Sequence, residues 1–191
     1  MFSKLATALI ALVIGMTANA NFESMAVVDA VAQQFSSTLA AGEPMFKEGE
    51  SATYDMTIAG FIPATMVMSI KSVTAAEVVL NQTVNILGQE QSCDVSMDPN
   101  TGAIKKMVCN GQEQKPPEGG EIEVIESKEA SVTVPAGTFQ TIYFKVKQKS
   151  DNSIVEQWIN PKLIPVGGMV KSVIPSQIGQ VVAQLKSFVK K

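Results

Sequence analysis

The chain contains neither histidine nor arginine, so its entire positive charge is carried by lysine. Missing His excludes His-centred catalytic triads and His-ligated metal sites. Missing Arg excludes the bidentate clamps that hold phosphate and carboxylate. Charged residues make up only 17%, and the formal net charge of −3 argues against a nucleic-acid partner, which calls for a basic face. No apolar run reaches the roughly 20 residues that a membrane-spanning helix needs, so no transmembrane segment is expected. What remains is a chain of 191 residues, 46% of them hydrophobic. That is enough for one domain with a real core.

The first twenty residues read as an export signal. Lys4 supplies the positive start, Leu5 to Met16 the apolar stretch, and Ala18-Asn19-Ala20 the small-x-small pattern that suits signal peptidase. Cleavage is expected after Ala20, and no Cys stands at that point to take a lipid anchor. The expected product is a periplasmic protein, residues 21–191 forming a single β-rich domain.

In an exported chain two cysteines are read as one disulfide. Cys93 and Cys109 flank Asp98-Pro99-Asn100-Thr101-Gly102, a dense turn signal, and lie symmetrically about Thr101 within it. If they face each other across a hairpin, Val95 opposes Met107 and Met97 opposes Lys105, which collects Cys93, Val95, Met97, Met107 and Cys109 on one face. A redox role would favour the close Cys-x-x-Cys spacing, which is absent.

Phe22 to Ala41 repeats apolar residues at steps of three and four, as Met25, Val28, Val31, Ala32, Phe35 and Leu39, and predicts a helix stopped by Gly42 and Pro44. From about Glu50 the period becomes two. Tyr54, Met56 and Ile58 alternate with polar neighbours, as do Met66, Met68 and Ile70 after the break at Gly60–Pro63. Further strands are expected at Glu77 to Leu87, Gln91 to Met97, Ala103 to Asn110, Glu121 to Glu126, Ser131 to Val134, Phe139 to Lys149 and Ser153 to Ile159. Short joints rich in Gly, Pro, Asn and Asp imply an antiparallel meander rather than βαβ units. Lys115–Gly120 divides the sheet region in two. At the C-terminus, Ser176 as an N-cap and the stripe Ile178, Val181, Val182, Leu185, Phe188, Val189 predict a second amphipathic helix.

Enzyme chemistry has thin support. Lys171-Ser172 and Lys149-Ser150 are adjacent pairs, and strand neighbours point to opposite faces. The acidic cluster Glu118, Glu121, Glu123, Glu126 and Glu129 lacks the Asp-x-Asp loop of a Ca²⁺ site and reads as a solvated edge. Pro165 to Ser172 lacks the Gly-Lys-Ser run of a phosphate loop. Met66 and Met68 share a strand face, where thioethers can bind Cu(I), but Met also fills cores and promiscuous apolar surfaces. No metal and no cofactor is expected.

Val132-Thr133-Val134-Pro135-Ala136-Gly137-Thr138-Phe139 resembles a phrase that opens a strand in bacterial periplasmic proteins of unknown function. Such proteins continue, as here, with an alternating strand (Thr141 to Lys149), a Trp-containing strand (Glu156 to Pro161) and a Gly-Met-Val-Lys strand (Gly168 to Lys171). The resemblance implies a curved antiparallel sheet similar to the lipoprotein-carrier (LolA/LolB-like) half barrels, where the concave face holds acyl chains and helices act as a lid. Those carriers use an Arg in lipoprotein handling, and this chain has none.

The expectation is therefore an α+β, mostly β fold: a half-barrel antiparallel sheet covered by an N-terminal and a C-terminal amphipathic helix. The expected function is non-enzymatic binding of an apolar or lipid-like ligand on the concave face, with Met56, Ile58, Met66, Met68 and Trp158 among its walls. The alternative is an interaction module that offers an edge or helix to an envelope protein.

Overall fold

The computed structural model describes residues 46–99, 103–115, 122–149, 151–176 and 178–191. They form one antiparallel sheet of eleven strands: β1 (Ser51–Ile58), β2 (Ile62–Val73), β3 (Val78–Ile86), β4 (Gln89–Met97), β5 (Ile104–Cys109), β6 (Gln112–Gln114), β7 (Ile122–Val134), β8 (Gly137–Gln148), β9 (Ile154–Ile159), β10 (Met169–Ser176) and β11 (Gly179–Val189). The order across the sheet is β6-β5-β4-β3-β2-β1-β11-β10-β9-β8-β7. Two meanders, β1–β6 and β7–β11, are thus joined where the first and last strands pair. Lys115–Gly120 falls between the two meanders.

Period-two patterning explains the sheet. In β3, Val78, Leu80, Gln82, Val84 and Ile86 are buried and the residues between them are half-exposed. On β1, Ala52, Tyr54 and Met56 stand opposite Met68, Met66 and Ala64 of β2. On the other side of β1, Tyr54, Met56 and Ile58 stand opposite Leu185, Ala183 and Val181 of β11. All of these are buried in one apolar cluster that continues through Leu80, Val95 and Met107. Each fully buried side chain of this size contributes roughly 1.5–3 kcal/mol.

The C-terminal helix is not formed. Its residues are β11, with Val181, Ala183 and Leu185 turned to the core and Val182 and Gln184 to the other face. Val181 and Leu185 satisfy a helical stripe and a strand alternation equally well, and the choice is made by β1 and β10. β10 pairs with β11 from Gly179 to Gln184 and β1 from Val181 to Val189, and without β11 each would present a row of unpaired backbone groups. No helix exists among the described residues, so the expected α+β fold with helical covers is corrected to an all-β one. The signal at 1–20 and the helix at 22–41 lie outside the described residues.

The sheet bends. β7, at its edge, comes back against β10 and β11, and the β7–β8 turn donates Ala136 N–H to Leu185 O at 3.0 Å. Val134 and Phe139, on either side of that turn, are buried in the main cluster. Pro135-Ala136-Gly137 is therefore a turn that docks its own hairpin on β11. Predicted strands at Glu121–Glu126 and Ser131–Val134 are one strand, because β8 pairs with both.

Candidate functional site on the inner face

Register fixes which side chains share the inner face. One row across the sheet reads Met56, Ala183, Ser172, Gln157, Phe144. Another reads Ala52, Met68, Gln82, Cys93, Cys109. Met56, Ile58, Met66 and Met68 are all buried in the main cluster, side by side on β1 and β2.

Trp158 packs against the same cluster from a different strand face. It alternates with Gln157, so it leaves β9 on the opposite side, opposite Tyr143 of β8 and Lys171 of β10. Its ring centroid is 4.9 Å from that of Tyr143 at a tilt of 50°. Lys171 Nζ lies 4.9 Å over the indole, and Lys128 Nζ lies 5.2 Å over the tyrosine ring. Lys128, Tyr143, Trp158 and Lys171 therefore form a cation–π row over four strands. Burial, followed by the Glu156 charge and hydrogen bond and the Glu126 charge, pushes the Tyr143 phenol up to about 12. Trp158 still touches the edge of the main cluster.

Three polar side chains on the inner face had no visible signal in the sequence. Gln82, Gln157 and Ser172 are buried, and Gln82 Oε1, Gln157 Oε1 and Ser172 Oγ have no hydrogen-bond partner. Gln157 and Ser172 are register neighbours. On one side of them lies the main cluster, through Ala183 and Met56. On the other lies a second apolar cluster of Phe144, Val146, Val155, Ile159 and Ile174. The apolar lining of this half of the molecule is thus interrupted by a neutral polar seam. A strand Gln normally marks a solvent side, and only cross-strand register turns these inward.

The end of the sheet near Met169 is closely tied. Tyr54 donates its hydroxyl to Met169 O at 3.1 Å in the core, and burial pushes this phenol well above the ordinary tyrosine range. The loop from Asn160 to Gly168 folds Ile164 and Val166 into the main cluster. Its base is closed by Asn160 N–H to Gly168 O at 2.7 Å. Gly168 is left-handed, and a Cβ there would meet the Pro161 backbone at 2.7 Å. Ile164 and Val166 therefore plug this end of the core.

Cys93 and Cys109 are bridged, with Cα atoms 4.1 Å apart. Val95 faces Met107 as expected, but Met97 faces Ile104 rather than Lys105 because the register shifts after Ser96. Lys105 is released to pair with Asp98 at 3.1 Å. In the acidic stretch, Glu123 and Glu126 stand opposite Lys147 and Lys145. Among the described residues, no group of three His, Cys, Asp or Glu is placed to hold a metal ion.

No family model matches the chain, and no curated protein does. Solved structures resemble the chain at low identity, one of them with a TM-score above 0.5. Hypothetical protein CT021 from Chlamydia trachomatis superposes with a TM-score of 0.52 at 8% identity, over 75% of this chain and 87% of that one. A presumed exported protein with a YmcC-like fold from Bacteroides fragilis gives 0.42 at 15%, over 76% and 97%. A presumed lipoprotein from Parabacteroides distasonis gives 0.43 at 12%, over 76% and 98%. None of the three is described as a lipoprotein carrier, so that finer resemblance is not shown.

Proposed function

We propose that the protein is an exported, non-enzymatic binder of an apolar, lipid-like molecule held on the inner face of the sheet. One observation carries the reading: Gln157 and Ser172 set unpartnered oxygens between two apolar clusters. A buried polar group without a partner costs about 1–3 kcal/mol, and a core selected only for stability would replace it. A ligand with an apolar body and a neutral hydroxyl or amide would satisfy the seam and lie along Met56, Met66 and Met68. No charged side chain is buried there to favour an ionised headgroup; the buried Glu50 lies at the sheet end, accepting from Lys47 N and Lys191 N. Export rests on Met1–Ala20.

The test is Gln157→Leu, followed with N-phenyl-1-naphthylamine, an uncharged probe that brightens in apolar surroundings, and with long-chain alcohols as competitors. Removing the unsatisfied amide oxygen is expected to stabilise the fold by about 1 kcal/mol. It should preserve probe binding while weakening competition by the alcohol relative to the matching alkane. A wild-type protein that neither brightens the probe nor prefers the alcohol would sink the reading.

A second reading, an envelope-protein module, draws on β7. It is an edge strand with half-exposed Val124 and Ile125, and strand addition there would bury both. Val124→Lys should then abolish recovery of one specific partner.

A further inference from the structure

The turns at one end of the sheet carry the most exposed large apolar side chains among the described residues. Phe61, in the β1–β2 turn, is 76% exposed, and Leu87, in the β3–β4 turn, is 70% exposed. The two turns are neighbours in the meander, roughly 10 Å apart at two strand spacings. Leu87 is doubly unfavourable for a soluble hairpin. It exposes an isobutyl group, and its φ of 53° lies in the left-handed region that β-carbon sterics disfavour.

The same molecule contains the unstrained solution. The β5–β6 turn, at the same end, is Asn110-Gly111 with φ of 51° and 78°, matching Leu87-Gly88 at 53° and 82°. Asn tolerates this conformation, and Asn110 Oδ1 accepts the Ser92 N–H at 3.0 Å. A Leu in the equivalent position of the adjacent turn gains nothing within the chain to offset its strain and exposure.

The two tips themselves carry no charge. Ala59–Phe61, Leu87–Gly88 and Gly179–Gln180 contain no charged residue, while farther along the same end Glu90 follows the β3–β4 turn and Lys149 and Asp151 stand in the β8–β9 turn. The opposite end carries Lys47, Glu48, Glu77, Asp98, Lys162 and Lys190. Directly below the exposed tips lie buried Ile58 and Ile86, the first residues of the inner face. Apolar side chains therefore continue from the two tips to the first residues of the inner face.

We propose that this end docks on a lipid bilayer, with Phe61 and Leu87 inserted into the interface, so that the ligand is exchanged with the membrane. Two separate tips of two and three residues do not make the contiguous patch of a protein interface, which buries about 800 Å² per partner. Exposed apolar side chains can enter a lipid interface, and the absence of Lys from both tips fits insertion rather than attraction to anionic headgroups. This rests on the lipid-like-ligand reading above and supplies the ligand's source.

The test is flotation with phosphatidylcholine vesicles, with and without phosphatidylglycerol, of the wild type and the Phe61→Ser, Leu87→Asn double variant. The N-terminal apolar stretch is common to both proteins and cancels. Vesicle partitioning should fall at least about tenfold in the double variant, in neutral vesicles as in anionic ones, with thermal stability equal to or above the wild type. Unchanged partitioning, no wild-type partitioning, or binding confined to anionic vesicles and lost in salt would overturn the proposal. Solvent extraction of both proteins separates it from ligand binding. Wild type that floats but yields no lipid keeps the docking and removes the carrier reading; a double variant that holds lipid but no longer floats supports both.

Discussion

The two ends of the sheet are built on opposite plans. At one end the Asn160–Gly168 loop, the Ala136 turn and the Tyr54 hydroxyl converge on Leu185 and Met169. Glu50 accepts hydrogen bonds from both Lys47 N and Lys191 N there. At the other end, tight turns stop abruptly, two of them crowned by Phe61 and Leu87. An antiparallel meander can close both ends with similar turns, so the contrast is not imposed by topology. It teaches that stability is concentrated where the core is plugged, and that the bare end has been left free to meet something apolar.

The largest expected effect removes the sheet on which both ends depend. Ala183→Lys puts an unpaired ammonium on the inner face and should cost about 4 kcal/mol in denaturant unfolding. Val182→Lys, one residue earlier and half-exposed, should stay within about 1 kcal/mol. The reverse ranking would restore the helical reading, where Val182 lies on the apolar stripe and Ala183 beside it. At the plugged end, Gly168→Ala forces a left-handed alanine against the Pro161 backbone and should cost about 2–3 kcal/mol. Tyr54→Phe removes this buried hydrogen bond to Met169 O and should cost about 1–2 kcal/mol. If either plugged-end change is neutral while Leu87→Asn is destabilising, the contrast between the ends is wrong.

The smallest effect lies on the outer face. Burial alone would raise the Asp94 carboxyl, but hydrogen bonds from Lys71 and Asn81 and the Lys71 charge hold it below its usual value. Its folded-state pKa is therefore depressed, so its contribution is present above the ordinary carboxylate range and is lost as pH falls through the folded value. Both partners are exposed, with Lys71 Nζ at 2.8 Å, and Asp94→Asn should remove less than about 1 kcal/mol at neutral pH. Comparing urea midpoints for variant and wild type at neutral and acid pH checks the sign: the difference should shrink in acid.

Much of the sheet was legible because strand alternation is local. Tyr54, Met56 and Ile58, or Met66, Met68 and Ile70, announce their face without knowledge of their neighbours, and the turn at Asp98–Gly102 announces the Cys93–Cys109 pairing. The C-terminal strand was illegible because Val181, Val182 and Leu185 fit both periods, and what decides is a partner strand more than a hundred residues away. The polar seam was hidden for a related reason. In Glu156-Gln157-Trp158 the large indole reads as the wall of a pocket, yet β10 pairs Ser172 with Gln157 and turns Trp158 to the other face. Leu87 read as the end of a strand, and only the backbone reveals that it occupies a position suited to Asn or Gly.

The most direct test of the central claim is native mass spectrometry of the protein taken from the exported fraction, followed by solvent extraction. A lipid-like binder gives a reproducible added mass that extracts as a neutral, hydroxyl- or amide-bearing lipid and is diminished in Gln157→Leu. A bare monomer mass, or an added mass that Gln157→Leu leaves unchanged, would contradict it.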